Sequence, residues 1–218
     1  MSQEMYEAMT QSIIDGEVEE AGRLAQQAIE AGIDPLAAIN GGFVKGLDQV
    51  GEAFGCGDMF LPDLVLAAEA MKAAVAVLEP ELERTGQERS VLGKVVIGTV
   101  AGDIHDIGKT LVATMLSASG FQVFDLGVDV AVTAFAEKAR EVGADIVGVS
   151  SLLTTTMVKQ RDVIEALDDM GLRPQVKVMV GGAPVTQSWA AEIGADGYSE
   201  DAMGAVQLAK TLVEGGLK

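Results

Sequence analysis

The residues of this chain that could do chemistry are few, and one short segment contains the most reactive of them. The only histidine, His105, lies two residues after Asp103. A carboxylate at this spacing can accept a hydrogen bond from one imidazole nitrogen and leave the lone pair of the other for a metal ion. The alternative is a partly exposed loop histidine that a neighbouring acid caps. Residue chemistry alone leaves both interpretations open.

The same segment also invites comparison with a phosphate-binding loop. Residues 108–110 read Gly-Lys-Thr, but five residues separate Gly102 from Gly108, one more than a P-loop has. The acids Asp103 and Asp106 would in addition repel a phosphate. The dinucleotide fingerprint G-x-G-x-x-G is missing here as well. We therefore reject nucleotide hydrolysis as the function.

The composition excludes several further classes of function. The chain has 218 residues, with 33 acidic and 15 basic ones and a formal net charge of −18, so its field would repel a nucleic-acid backbone. Cys56 is the one cysteine, which excludes an internal disulfide and a structural zinc site of four Cys or His ligands. No uncharged apolar run reaches the roughly 18 residues of a membrane span, and we see no targeting segment. We expect a cytoplasmic protein without membrane or nucleic-acid partners.

Beyond residue 90, β-branched runs alternate with amphipathic segments, which predicts an α/β unit. Such alternation indicates a parallel sheet covered by helices on both faces. Five strands in this length fit a flavodoxin-like (Rossmann-like) order, whose ligand crevice opens at the carboxyl ends of the first and third strands. The predicted strands are Lys94–Thr99, Gln122–Asp125, Asp145–Ser150, Val176–Val180 and Gly197–Tyr198, and the predicted helices are Ile107–Ala118, Val132–Glu141, Thr155–Met170, Ser188–Ile193 and Ala202–Val213.

The first 90 residues have helical periodicity and predict an antiparallel four-helix bundle. The helices are expected at Glu4–Ile14, Glu17–Ala31, residues 36–54 and Pro62–Glu79, with Pro80 ending or kinking the last one. The polar segment Arg84–Ser90 is the predicted linker. We therefore predict a helical cap domain at residues 1–88 and an α/β domain at residues 89–218.

Three loops together resemble the signature of cobalamin-binding domains of the base-off, His-on type. Asp103-x-His105-x-x-Gly108 is followed after 41 residues by Ser150-x-Leu152, and after 28 more by Gly181-Gly182. Cobalamin-dependent methionine synthase, the small corrinoid proteins of methyltransferase systems and the cobalamin-dependent mutases carry this signature. Residues 54–62, followed by Leu64 and Met71, resemble the helical cap of the methyl-carrying members. The resemblance covers essentially the whole chain.

The resemblance implies a role for each matching residue of the sheet domain. His105 would replace the dimethylbenzimidazole of the cofactor as the lower cobalt ligand, and Asp103 would hydrogen-bond it. Thr156 stands where methionine synthase extends this relay with a serine, and Ser150 would bond the benzimidazole nitrogen. Further cofactor contacts are implied at Gly102, Ile104, Asp106, Gly108, Leu152, Thr154, Gly181, Gly182, Ala202 and, in the helical half, Asn40.

Above the corrin ring, the resemblance implies an apolar shield for the methyl face. Phe54, Leu61 and Leu64 keep the spacing of the shielding residues. The alternative for these three is plain bundle core. The glycines of the third helix would make room for the corrin; they are Gly41, Gly42, Gly46 and Gly51.

The function implied by the resemblance is that of a corrinoid methyl carrier rather than an autonomous enzyme. Bound cob(I)alamin would accept a methyl group from a methylamine, a quaternary amine or a similar substrate on a substrate:corrinoid methyltransferase. A corrinoid:folate or corrinoid:coenzyme M methyltransferase would then take it, and a reductive activation protein would restore the cofactor. The alternatives are a cobalamin-binding sensor or regulatory module and the small subunit of a cobalamin-dependent mutase.

Overall fold

A computed structural model describes residues 2–85, 91–173 and 175–215. The chain forms two compact units, Met1–Ser90 and Val91–Lys218. Most of the predicted linker and the predicted boundary at residue 88 lie outside the described residues, so the boundary stays a prediction. The predicted order, a helical region followed by a five-stranded parallel sheet, is confirmed.

The first unit consists of helices only, in the part that the structure describes. Apolar side chains at helical spacing fill its core, including Met9, Ile13, Phe43, Met71 and Leu78, all fully buried. Helix α2 packs against α5, and α1 packs against α4. The helices are α1 (Ser2–Ile14), α2 (Val18–Glu30), α3 (Pro35–Ala38), α4 (Val44–Cys56) and α5 (Leu61–Thr85), with a π-helical segment at Ile39–Phe43 between α3 and α4.

Close packing against α1 explains the glycines after α3. A Cβ on Gly42 would lie 2.8 Å from Cβ of Met9, and a Cβ on Gly46 would lie 2.5 Å from the carbonyl oxygen of Thr10. The hydroxyl of Thr10 also donates a 3.0 Å hydrogen bond to the carbonyl oxygen of Gly42, within the π-helical segment. The interpretation that these two glycines make room for a corrin is therefore wrong, because α1 is the surface that approaches them.

The sequence predicted that Pro80 would end or kink the last helix of this unit. An end there is wrong, because α5 runs through Pro80 to Thr85. A proline inside a helix leaves the carbonyl four residues earlier without its donor. That residue, Ala76, is exposed, as is Pro80, so water can satisfy the carbonyl. The apolar face meanwhile continues beyond the proline, because Leu82 is buried at 2% exposure. Burial of this last turn outweighs the lost hydrogen bond.

The second unit is a five-stranded parallel sheet in the order β2-β1-β3-β4-β5, which confirms the flavodoxin-like prediction. The three central strands are nearly continuous apolar runs, as strands covered on both faces require. The strands are β1 (Lys94–Thr99), β2 (Gln122–Asp125), β3 (Ile146–Ser150), β4 (Lys177–Gly181) and β5 (Gly197–Tyr198). The helices are α6 (Ile107–Ala118), α7 (Val132–Val142), α8 (Thr154–Met157), α9 (Lys159–Asp169), α10 (Gln187–Ile193) and α11 (Ala202–Glu214).

Strand register brings the ends of three strands to one level. Thr99 of β1 pairs with Ser150 of β3, and Ser150 pairs with Gly181 of β4. The loops that follow these strands therefore leave the sheet side by side. One predicted helix differs, because residues 154–169 form α8 and α9 rather than one helix. Three consecutive threonines, which are weak helix formers, precede the break.

In the residues that the structure describes, no helix is long and apolar enough to cross a membrane.

Candidate functional site

Asp103 lies at the centre of a cluster of hydrogen bonds at the carboxyl ends of β1 and β3. Its side chain is fully buried. Oδ1 lies 2.7 Å from Nδ1 of His105 and accepts the backbone N–H of the same residue at 3.1 Å. Oδ2 accepts the backbone N–H of Leu152 at 2.7 Å, the backbone N–H of Leu153 at 3.3 Å and the hydroxyl of Thr156 at 2.9 Å. One carboxylate thus joins the loops that follow two neighbouring strands.

Backbone geometry fixes Asp103 in this position. Gly102 has a φ of +85°, a conformation that glycine adopts without strain. Its N–H donates to Oδ1 of Asp129 at 2.7 Å, and the N–H of Asp129 donates to the carbonyl oxygen of Asp103 at 2.9 Å. The hydroxyl of Thr99 donates to the carbonyl oxygen of His105 at 3.0 Å. The loop is therefore tied down on both sides of the carboxylate.

The Asp103 carboxyl is held in its ionised form. Burial by itself opposes ionisation, but hydrogen bonds from the His105 ring, from the backbone of Leu152 and His105 and from the Thr156 hydroxyl outweigh that effect. Together they hold the pKa of Asp103 far below its ordinary value of 3.8. An ionised Asp103 accepts a hydrogen bond from the Nδ1–H of His105 and so fixes the imidazole tautomer.

His105 presents its other ring nitrogen outward. The side chain is 47% exposed although its partner Asp103 is fully buried. Among the described residues, Nε2 has no hydrogen-bond partner. An imidazole with Nδ1 bonded to a carboxylate and Nε2 free is oriented as a metal ligand. Within the described residues no cluster of three or more His, Cys, Asp or Glu side chains could hold a metal by itself, so His105 would act as a single ligand from the protein.

Ser151 belongs to this cluster, and sequence reasoning missed it. It is fully buried, and its hydroxyl lies 2.8 Å from Oγ1 of Thr156 and 3.5 Å from Oδ2 of Asp103. The extra methyl of Thr156 does not disturb the network, because Cγ2 points to Gly102 at 3.5 Å from the site of a Cβ there. The signal in the sequence was the Ser150-Ser151 pair, in which strand alternation sends only one side chain inward.

Lys109, which the Gly-Lys-Thr sequence marked as a possible phosphate ligand, is buried and paired with two carboxylates of the protein. Its side chain is 1% exposed, and Nζ lies 2.8 Å from Oδ1 of Asp106 and 2.5 Å from Oδ2 of Asp125. Burial opposes its charge, but these two carboxylates outweigh that effect and raise the pKa of Lys109 above its ordinary value. The lysine is paired with Asp106 of this loop and Asp125 of β2, which agrees with the rejection of a P-loop.

The remaining predicted residues of the sheet unit lie in different surroundings. Ser150 is the last residue of β3, and Gly181 is the last residue of β4. Gly182 has a φ of +121°, and a Cβ on it would lie 1.8 Å from the carbonyl oxygen of Ser151. Thr154 is exposed at the start of α8, and Gly108 has open space where a Cβ would be. Ala202 begins α11 and is 5% exposed.

The predicted residues of the helical unit do not form a comparable cluster. Asn40 is exposed in the π-helical segment. Of the three residues predicted to shield a methyl group, Leu61 is 40% exposed, Phe54 is half-buried and Leu64 is fully buried. The burial of Leu64 is what a core residue of the bundle requires.

Comparison with known proteins places the chain in a family. Residues 93–207 match a family model described as B12 binding domain, and residues 5–79 match a second model with the same description. A trimethylamine corrinoid protein of Methanosarcina mazei is 50% identical over 94% of this chain and 94% of its own length. The chain therefore belongs to the B12-binding domain family.

Two solved structures are similar over most of this chain. A cobalamin-binding protein from Desulfitobacterium hafniense is 36% identical, with a TM-score of 0.80 over 94% of this chain and 97% of its own. The methanol:cobalamin methyltransferase complex of Methanosarcina barkeri contains a chain that is 29% identical, with a TM-score of 0.86 over 99% of this chain and 81% of its own.

The residues at the sheet edge fit the cofactor for which this family is named. A corrin would itself supply four ring nitrogens to its cobalt, so a single protein nitrogen would complete the site, and Nε2 of His105 is available for that role. Large apolar side chains of the same two segments are exposed, with Ile104 76% exposed, Ile107 80% and Leu152 41%. Exposed apolar groups of this size mark a binding surface, and a broad, flat macrocycle would cover them.

Proposed function

We propose that this protein carries a methyl group on a bound cobalamin, held base-off with His105 as the lower cobalt ligand. The single observation that carries the proposal is the Asp103–His105 pair. The buried carboxylate holds Nδ1 at 2.7 Å while the ring remains 47% exposed. The protein side of the site thus supplies one oriented imidazole nitrogen.

The chain's own residues would orient and tune the ligand. Ionised Asp103 keeps the proton of His105 on Nδ1 and leaves Nε2 as a lone-pair donor. Thr156 and Ser151 hold the far oxygen of that carboxylate, so the charge of Asp103 is shared between the imidazole and two hydroxyls. When bound, the corrinoid would supply the nucleophilic cobalt that carries the methyl group.

The other residues of the sheet edge would hold the body and tail of the cofactor. Gly102, Ile104, Asp106 and Gly108 flank the ligand in sequence, and Thr154 stands exposed nearby. Ser150, Leu152, Gly181 and Gly182 would receive the displaced nucleotide tail in the crevice that opens at the carboxyl ends of the strands. Ala202 would take part only through its backbone, since its side chain is buried.

The helical unit would shield the methyl face. Leu61 and Phe54 are the exposed and half-buried members of the predicted shield, and Asn40 would add a polar contact from the π-helical segment. Leu64 would support them from the bundle core. The unit would have to move aside for each methyltransferase, as lids do during turnover.

The partners would be methyltransferases. The names of the relatives support this: one is a trimethylamine corrinoid protein, and one structure is a methanol:cobalamin methyltransferase complex. This chain would receive a methyl group from a methylamine, quaternary amine or similar donor on a substrate:corrinoid methyltransferase. It would deliver the group to a corrinoid:folate or corrinoid:coenzyme M methyltransferase in the cytoplasm, and a reductive activation protein would keep the cobalt active.

The ligand assignment is tested with the H105A variant reconstituted with methylcobalamin. We expect its absorption spectrum to lose the features of histidine coordination, and we expect added imidazole to restore them because the Asp103 carboxylate can hold its N–H as it holds that of His105. A spectrum and a methyl-transfer rate equal to those of the wild type would contradict the assignment.

The carrier role is tested separately, with the wild-type protein. After reduction, the protein should be methylated by a small methyl donor, and the methyl group should leave only when a cognate methyltransferase is added. Loss of the methyl group at the same rate without any methyltransferase would contradict the carrier role but not the ligand assignment.

A further inference from the structure

Gln160, on the first turn of α9, joins the ends of two strands next to the site. Its side chain is fully buried. The amide nitrogen donates to the carbonyl oxygen of Val149 on β3 at 2.9 Å and to that of Gly181 on β4 at 3.1 Å. Both donors of the carboxamide are therefore used on the backbone of neighbouring strands, within the last two residues of each.

Trp189 of α10 completes the hydrogen bonding of Gln160. Its indole Nε1–H donates to Oε1 of Gln160 at 3.0 Å. The guanidinium of Arg161 lies 5.1 Å from the centre of the indole ring and pairs with Glu192 at 2.6 Å. Ring, cation and carboxylate thus fix the indole, and the indole fixes the orientation of the buried carboxamide, since Oε1 and Nε2 are then distinguished.

Gln160 and Trp189, which together form a brace across the ends of β3 and β4, connect to the loops of the cofactor site. The carbonyl oxygen of Gly181 accepts from Gln160 and also from the backbone N–H of Ser151 at 3.1 Å. Ser151 is the residue whose hydroxyl reaches Thr156 and Asp103. Gly182 packs so tightly on the same residue that it has no space for a side chain. The brace therefore fixes the separation of the β3 and β4 ends.

We propose that Gln160 and Trp189 are positioning residues for the nucleotide tail of the corrinoid. The inference rests on the proposed function, in which the tail lies along Ser150, Gly181 and Gly182. Gln160 is buried beneath these residues and would not touch the tail. Its role is to hold the two strand ends at the spacing that the tail requires, and Trp189 holds Gln160 in the one orientation that does so.

Loss of the carboxamide would change the crevice without emptying the core. In the Q160L variant, a side chain of similar size replaces it. The carbonyl oxygens of Val149 and Gly181 lose the donor that Gln160 supplies, and the indole N–H of Trp189 loses its acceptor. Buried groups in this state draw in water or shift to find new partners. The strand ends are the part of the sheet that can shift, because the loops begin there.

The test compares two corrinoids: cobalamin, which has the nucleotide tail, and cobinamide, which lacks it. We expect Q160L to bind cobalamin about tenfold more weakly and cobinamide with unchanged affinity. The W189F variant keeps a ring beside Arg161 but lacks the donor, so its loss should be smaller, about threefold, and again confined to cobalamin. In the apo protein, the amide hydrogen of Ser151 should exchange faster in both variants.

The matched control is L167A, which removes a fully buried side chain two turns further along the same helix. It should destabilise the unit while leaving the ratio of the two affinities at its wild-type value. If Q160L folds poorly, W189F decides by itself. If W189F and Q160L keep the wild-type ratio of cobalamin to cobinamide affinity, whether both affinities stay unchanged or both fall equally, the inference is overturned. A wild-type protein that binds neither corrinoid would overturn the proposed function and the inference with it.

Discussion

The predicted site residues of the sheet unit come together in the fold, whereas those of the helical unit differ widely in burial. In the sheet unit, residues far apart in the chain meet: Asp103 and Thr156 are 53 positions apart and share a 2.9 Å hydrogen bond. In the helical unit, the predicted residues range from 40% exposed at Leu61 to fully buried at Leu64. A parallel sheet brings loops together by register, whereas the faces of a bundle are determined by the packing of each helix. Chemistry is therefore concentrated at the sheet edge.

Glycines illustrate the same difference. Gly182 of the sheet unit combines a positive φ with contact to the neighbouring loop, and Gly46 of the bundle makes room for helix α1. The first shapes the site and the second shapes only the core. Trp189 is the one tryptophan of the chain and reports on the sheet unit, while helical circular dichroism reports on both units. A change in the circular dichroism transition that Trp189 emission does not share therefore belongs to the helical unit.

The largest effect is expected from G182A. Its Cβ would lie 1.8 Å from the carbonyl oxygen of Ser151 at a φ of +121°, so strain and overpacking together should lower the free energy of unfolding by about 4 kcal/mol. The control is G194A, where φ is +78° and nothing lies within 4 Å, with an expected loss of about 1 kcal/mol. Urea unfolding followed by the emission of Trp189 measures both. Equal losses would break the claim that Gly182 is fixed by its contact.

The next effect tests the helical unit. Leu64 is fully buried, so L64A should lower the stability of this unit by about 3 kcal/mol and leave the unfolding transition of Trp189 in place. Leu61 is 40% exposed, so L61A should cost less than about 1 kcal/mol. If Leu61 shields the methyl face, however, L61A should speed the loss of the methyl group to solvent thiols. The opposite order of the two stability losses would contradict the burial of these residues.

A smaller effect is expected from Thr156. The T156V variant removes the hydroxyl from Oδ2 of Asp103 and should lower the stability of the sheet unit by about 1.5 kcal/mol. The T156S variant keeps the hydroxyl, loses only the methyl near Gly102 and should stay within about 0.5 kcal/mol of the wild type. Thermal unfolding followed by Trp189 distinguishes them. If the serine variant lost as much as the valine variant, the methyl contact rather than the hydrogen bond would matter.

The smallest expected effect is a loss of stability at alkaline pH that depends on Lys109. Its pKa is raised in the folded state, so its stabilising contribution is complete below the ordinary lysine value of 10.5 and is lost as the pH rises through the raised value. The wild type should therefore lose stability more steeply than K109M above that pH. Thermal midpoints across this range measure the difference. A constant gap between the two proteins would show that Lys109 acts by packing alone.

Much of the sheet unit was predictable from sequence, because its strands are short apolar runs separated by glycine-rich turns. β1, β2 and β5 have the predicted bounds, and the strand order follows from the alternation. The position of Asp103 beside His105 followed from local spacing. What sequence reasoning missed depends on packing across the fold: Ser151 in the polar cluster, Gln160 beneath it, and the contact of Gly42 and Gly46 with α1. The run of α5 through Pro80 depends on the burial of Leu82, which periodicity up to the proline does not reveal.

The most direct test of the central claim uses the single histidine of the chain. Growth on ¹⁵N-histidine labels only His105, and the cobalt(II) form of the bound corrinoid is then measured by electron paramagnetic resonance. Coordination by Nε2 of His105 predicts that the triplet splitting from ¹⁴N becomes a doublet on labelling. A triplet that is unchanged by the label would mean that the benzimidazole of the cofactor, or another unlabelled nitrogen, binds the cobalt, and it would contradict the assignment of His105.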